Sequence, residues 1–96
     1  MRKITENAIA AFNKSEKFNS GNTEVENNNG IVTLYLHGNA IAVNNNGNLR
    51  ITTAGWNTPT TKERLNGLSG VNVYQKNKKL FLNGKEWNGE WITVIQ

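Results

Sequence analysis

The sequence predicts an α+β fold: an antiparallel β-meander of six or seven short strands, with an N-terminal helix and a short central helix, in a single compact domain spanning residues 1–96. Three observations carry this. The pair Asn-Gly occurs five times, at 29–30, 46–47, 66–67, 83–84 and 88–89. Both residues tolerate the positive φ that a tight type I′ hairpin turn requires. Four of the five pairs sit between or beside runs rich in Val, Ile, Leu, Thr and Tyr. Two further segments, 4–14 and 58–68, carry helical rather than alternating patterns, and 96 residues suffice for one hydrophobic core but not two.

In the first helical segment Ile4, Ala8, Ala11 and Phe12 fall on one face, with Ile9 flanking it. Thr5 is the predicted cap, and Phe18 folds back over the far end. Residues 19–22 are a loop and 23–26 a short edge strand, with the Asn27-Asn28-Asn29-Gly30 turn after it. Residues 31–37 are the best strand in the chain: Val32, Leu34 and Leu36 point one way, and Ile31, Thr33, Tyr35 and His37 the other. Gly38-Asn39 turns into the strand 40–43, and Asn44 to Gly47 turns into 49–53. Thr58-Pro59 reads as N-cap plus first helical residue; a capping box over Thr60 to Glu63 also fits. The helix ends at Gly67 or Gly70. Residues 71–75 and 80–82 form a hairpin around Lys76, Asn77, Lys78 and Lys79, and 91–95 is the last strand. The spacing leaves open whether the four-strand and three-strand meanders share one sheet or close into a small open barrel.

Composition excludes several functions. There is no Cys, so disulfide frameworks, zinc knuckles and iron–sulfur sites are ruled out. All seven acids are Glu, against 18 Asn and no Asp, which removes a common carboxylate for metal binding and acid–base work. The net charge of +4 permits attraction to nucleic acid and argues against an acidic DNA mimic. The first seven residues lack an apolar stretch after Arg2 and Lys3, and no run approaches the ~20 residues of a membrane span. A cytoplasmic protein with no membrane partner and no cofactor is the expectation.

Catalysis is not expected. His37 is the only His, and no nucleophile-elbow pattern frames Ser15, Ser20 or Ser69; His37 before Gly38 reads as a turn residue hydrogen-bonded to backbone. Glu24 and Glu26 share a strand face, where solubilising an edge strand is the simpler role. The Gly-rich stretches lack Walker or dinucleotide spacing.

Binding residues are easier to nominate. Lys76, Lys78, Lys79 and Lys85 surround one hairpin, flanked by Tyr74 and Phe81. Charge that tracks phosphates beside rings that stack bases is what single-strand binding uses; the plainer alternative is a solvated hairpin tip with Phe81 on the core. Arg50, Lys62 and Arg64 extend the patch if the central helix lies nearby, and Arg2 and Lys3 join it from the N-terminus. Trp87 and Trp91 are expected to clamp the C-terminal strands onto the core, and Trp56 to do the same at the strand-to-helix corner. An exposed Trp would instead mark a binding surface.

Residues 34–42 (LYLHGNAIA), 51–66 (ITTAGWNTPTTKERLN) and 82–89 (LNGKEWNG) resemble a group of small phage and prophage proteins. The resemblance implies a phage origin and carries over no functional residues. Phage accessory genes of this size often encode stoichiometric inhibitors of host defence, anti-CRISPR proteins among them. By that analogy the implied partner is a host protein or ribonucleoprotein, such as a defence nuclease or its guide RNA, met by the basic hairpin and the corner from Gly55 to Arg64. The alternative is a single-stranded RNA or DNA binding module of phage metabolism.

Overall fold

The computed structural model describes residues 2–95. The elements run α1 (Lys3–Asn13), β1 (Phe18–Ser20), β2 (Thr23–Asn28), β3 (Ile31–Leu36), β4 (Asn39–Asn45), β5 (Asn48–Ile51), α2 (Pro59–Asn66), β6 (Val73–Lys76), β7 (Lys79–Leu82), β8 (Lys85–Glu86) and β9 (Ile92–Val94). The predicted α+β meander with two helices is present. It holds nine strands among the described residues, not six or seven, because β1 and β8 are three- and two-residue strands too short to show a sequence period.

The strands form two antiparallel sheets, one in the order β1-β2-β3-β4-β5-β9 and one in the order β6-β7-β8, so neither a single sheet nor a barrel results. Asn29-Gly30 and Asn46-Gly47 close hairpins with both φ angles positive, as a type I′ turn demands, and Asn83-Gly84 does the same between β7 and β8. The turn after β3 is centred on His37 and Gly38, at φ 52° and 78°, one residue earlier than expected. The other two Asn-Gly pairs have different uses. Gly67 ends α2, and a Cβ there would lie 2.7 Å from Ile9 Cγ1, so glycine permits α1 and α2 to approach. A Cβ on Gly89 would lie 2.5 Å from Thr53 Oγ1.

That second close approach sets the topology. The Gly89 carbonyl accepts from Thr53 N (2.9 Å) and Thr52 Oγ1 (2.7 Å). The chain is thereby delivered beside β5, where Leu49 pairs with Val94 and Ile51 with Ile92. The last strand therefore joins the large sheet rather than the C-terminal meander. Strand β2, expected at an edge, is interior, because β1 covers its free side.

Alternation along β3 buries Val32, Leu34 and Leu36 and leaves Ile31, Thr33 and Tyr35 outward, as predicted. A register shift between Leu34 and Tyr35 turns both Ile41 and Ala42 of β4 into the core. That core also takes Ala8, Ala11 and Phe12 of α1, Leu65 of α2, Val73 of β6, and Leu80 and Leu82 of β7. Burying apolar area at about 25 cal/mol/Å2 is the main force joining the two sheets and the helices. Thr5 lies inside α1 and is fully buried, with Arg2 at the cap position and no side-chain cap; its hydroxyl is drawn to a partner on α2 instead. Thr58 caps α2 and Pro59 begins it, with Thr58 Oγ1 accepting from Thr61 N at 3.2 Å. The capping-box register is not used, since Glu63 faces α1. Among the described residues no helix is long and apolar enough to cross a membrane.

Candidate functional site

Two surfaces gather most of the nominated binding residues. The first is the outer face of the small sheet. Tyr74 pairs with Phe81 and Lys76 with Lys79 across β6 and β7, so strand alternation sets all four side chains on one face. The opposite face buries Val73, Leu80 and Leu82. The Tyr74 and Phe81 rings stack with centroids 5.3 Å apart and planes at 10°. Both are half-buried, so Phe81 covers the sheet from outside instead of entering the core. Lys78 sits in the turn at φ 66°. Lys79 Nζ lies 3.8 Å from Glu86 Oε1, an exposed pair of small energetic weight. Lys85 is on β8, and Lys62 of α2 donates to Gln75 Oε1 at 3.0 Å, which confirms that the central helix lies beside the hairpin.

The second surface is the corner between β5 and α2. Ala54 and Gly55 both take positive φ, 55° and 84°, and Trp56 N closes the turn on Thr53 O at 2.9 Å. A left-handed alanine is costly. The turn ejects Trp56, which is 59% exposed, so the expected core role is overturned. Its ring borders a cavity of about 90 Å3 whose walls include Leu36, His37, Ile41, Thr53 and Thr61. Drug-sized ligands and cofactors occupy about 300 Å3 or more, so this cavity matches one apolar side chain of a macromolecule.

Arg64 does not belong to either surface. It is 1% exposed, on the inward side of α2, so its nomination as a surface contact is wrong. Its Nε donates to Thr23 Oγ1 at 3.0 Å, one terminal nitrogen meets Thr5 and Glu63, and the other reaches Asn22 Oδ1 at 3.4 Å. The guanidinium thus ties α2 to α1 and to the start of β2. Burial pushes the Glu63 carboxyl up, but the Thr5 hydroxyl, the Arg2 backbone N–H and the charges of Arg64 and Arg2 outweigh it and hold Glu63 below the ordinary carboxylate value. Arg2 Nη2 lies 3.5 Å from Glu63, so Arg2 serves this clamp.

Arg50 lies away from the hairpin, on the outer face of the large sheet, 5.5 Å above the Trp91 ring. Trp91 is 43% exposed, against expectation; Trp87 is buried as expected, its indole N–H donating to Glu90 O at 2.9 Å. The Arg50–Trp91 pair was missed because it depends on β9 lying beside β5, which no local pattern encodes.

His37 is a turn residue, as predicted, and its backbone N–H donates to Asn22 O at 2.7 Å; its ring meets the Asn22 side-chain amide at 3.5 Å rather than backbone. Glu24 and Glu26 lie together on the outer face; a hydrogen bond to Glu26, then desolvation and repulsion, raise the Glu24 carboxyl. Among the described residues no group of three His, Cys, Asp or Glu is placed to hold a metal ion.

A family model described as Kyanoviridae Gp96 protein matches residues 1–94, and the chain belongs to that phage family. No curated protein and no solved structure matches it.

Proposed function

We propose that this phage protein works by binding rather than catalysis, as a stoichiometric inhibitor of a host defence factor. An anti-CRISPR-like partner, a defence nuclease or its guide RNA, is the kind this reading favours. The observation that carries it is Trp56, held out of the core on a strained turn and bordering a cavity the size of one side chain. Exposed aromatic anchors beside small apolar pockets dominate protein interfaces. The test is capture from a host lysate by the immobilised chain and by Trp56→Ala, followed by a defence assay with the purified captured factor. The wild-type chain is expected to bind one host factor at one-to-one stoichiometry and to block its activity. Truncating a hot-spot Trp costs about 2 kcal/mol or more, roughly 30-fold in Kd. Equal binding by Trp56→Ala, or binding without inhibition, refutes the reading.

The alternative, a single-stranded RNA or DNA module, draws support from one arrangement: Tyr74, Phe81, Lys76 and Lys79 on a single sheet face. It predicts that a labelled single strand binds with an affinity falling by about 0.7 log units per log unit of salt for each phosphate neutralised. The triple substitution Lys76→Glu, Lys78→Glu and Lys79→Glu should abolish that binding; unchanged binding removes the hairpin from consideration.

A further inference from the structure

The two sheets leave four edges among the described residues, and three of them are blunted. Asn66 bonds both backbone groups of Val73, accepting from its N–H at 2.6 Å and donating to its carbonyl at 2.9 Å, so one side chain takes the place of a strand beside β6. Strand β8 is two charged residues, Lys85 and Glu86. Strand β1 is three residues long, preceded by Glu16 and Lys17. Edges are commonly protected in these ways, because an open ladder of N–H and C=O groups recruits another strand.

Strand β9 is as short as β1 but carries no charge along its length or directly before it. It ends the large sheet, and residues 91–95 read Trp-Ile-Thr-Val-Ile with no charge and no proline. Trp91, Ile92 and Thr93 are exposed, and Ile95 is 92% exposed. Singly, such residues need no explanation. Together, along the open strand Ile92–Val94 and the residue flanking it on each side, they have a self-complementary order. When two copies of this segment run antiparallel about Thr93, Thr93 faces Thr93, Ile92 faces Val94, and Trp91 faces Ile95. Opposed residues share a face, so the exposed Ile95 of each copy meets the exposed Trp91 of the other.

We infer that β9 is a homodimerisation edge, pairing antiparallel with β9 of a second copy about a two-fold axis through Thr93 to give a continuous twelve-stranded sheet. The contact is isologous, so it closes at two copies rather than propagating. It is independent of the host-factor reading, since Trp56 and the lysine hairpin belong to other surfaces. The contact is short and belongs with weak interfaces.

Sedimentation equilibrium of the full chain tests it. Over roughly 10–1,000 µM, the range suited to a weak interface, the mass should rise from 10.7 kDa towards twice that value. Thr93→Glu and Thr93→Lys each oppose like charges at the axis, and each should stay at the monomer mass with an unchanged circular dichroism spectrum. An equal mixture of the two should restore the doubled mass, because unlike charges then meet. Ile95→Ser removes a side chain that touches little in the monomer and should weaken association at least threefold. A wild-type chain that stays at 10.7 kDa throughout overturns the inference, and so would a dimer that neither the Thr93 variants nor Ile95→Ser weakens.

Discussion

Replacing Arg64 should damage folding and leave surface recognition intact. In the native chain its guanidinium makes one well-formed bond to Thr23 at 3.0 Å and a charged contact to Glu63 shared with Thr5, plus a long contact to Asn22 at 3.4 Å. Hydrogen bonds to a charged partner contribute about 1.5–3 kcal/mol each. Two such bonds give about 3–6 kcal/mol for Arg64→Ala, in line with the cost of breaking a buried ion pair by removing one member. A domain of this size has about 5–14 kcal/mol in total, so about a fifth or more of its stability goes. At about 4 °C or more per kcal/mol, Tm should drop by about 12 °C or more. Arg64→Lys keeps the charge but cannot address Thr23, Glu63 and Asn22 from one ammonium, and should lose roughly half as much. Urea denaturation followed by circular dichroism measures both. A loss under about 1 kcal/mol for Arg64→Ala at unchanged m would refute the account of α2 clamped through Arg64. So would a folded Arg64→Lys protein that fails to bind a partner held by the wild type, since a buried side chain has no access to that surface.

Glu63 gives a pH signature. Its folded carboxyl titrates below the unfolded value of 4.5, so its contribution is fully present above that value and is lost as pH falls through the lower folded value. The Tm gap between wild type and Glu63→Gln should be widest at neutral pH and shrink in acid; a gap that is constant with pH contradicts the ion-pair assignment. Gly89→Ala should cost about 1–3 kcal/mol, because φ is +86° and the added Cβ would sit 2.5 Å from Thr53 Oγ1. Thermal melts check it, and a neutral substitution would mean that the chain reaches β5 by another route.

What the sequence revealed was what is local. Turns written as Asn-Gly, the alternation along β3, and the Thr58-Pro59 start of α2 each depend on a few neighbouring residues, and each was legible. The long-range pairings were not. Nothing near Ile92 states that its partner is Ile51, so the local pattern places Trp91 in the core, whereas it is exposed. Arg64 looked like a surface cation because a Thr-Lys-Glu-Arg stretch has a polar face on any helix; only the crossing of α1 over α2, permitted by Gly67 against Ile9, turns it inward. The lysine hairpin was readable because its charges and rings lie within 12 residues of one another (74–85) and strand alternation sets their faces. The Trp56 surface needed the positive φ of Ala54, which alanine does not announce.

The route of β9 back to β5 also bears on the order of assembly. Ile51 and Ile92 are 41 positions apart (92 − 51), whereas Asn28 and Ile31, which pair across the first Asn-Gly turn, are three apart. Closing the longer loop costs about 2 kcal/mol more in chain entropy. Strands β2 to β5 can zip by successive tight turns, while β9 must wait until α2 and the small sheet have shortened its path. In the monomer the last strand to dock is also held by three residues on one side only, so it is a natural point for the native molecule to fray, and at concentrations too low for pairing its amides should exchange with solvent ahead of those in β3 and β4.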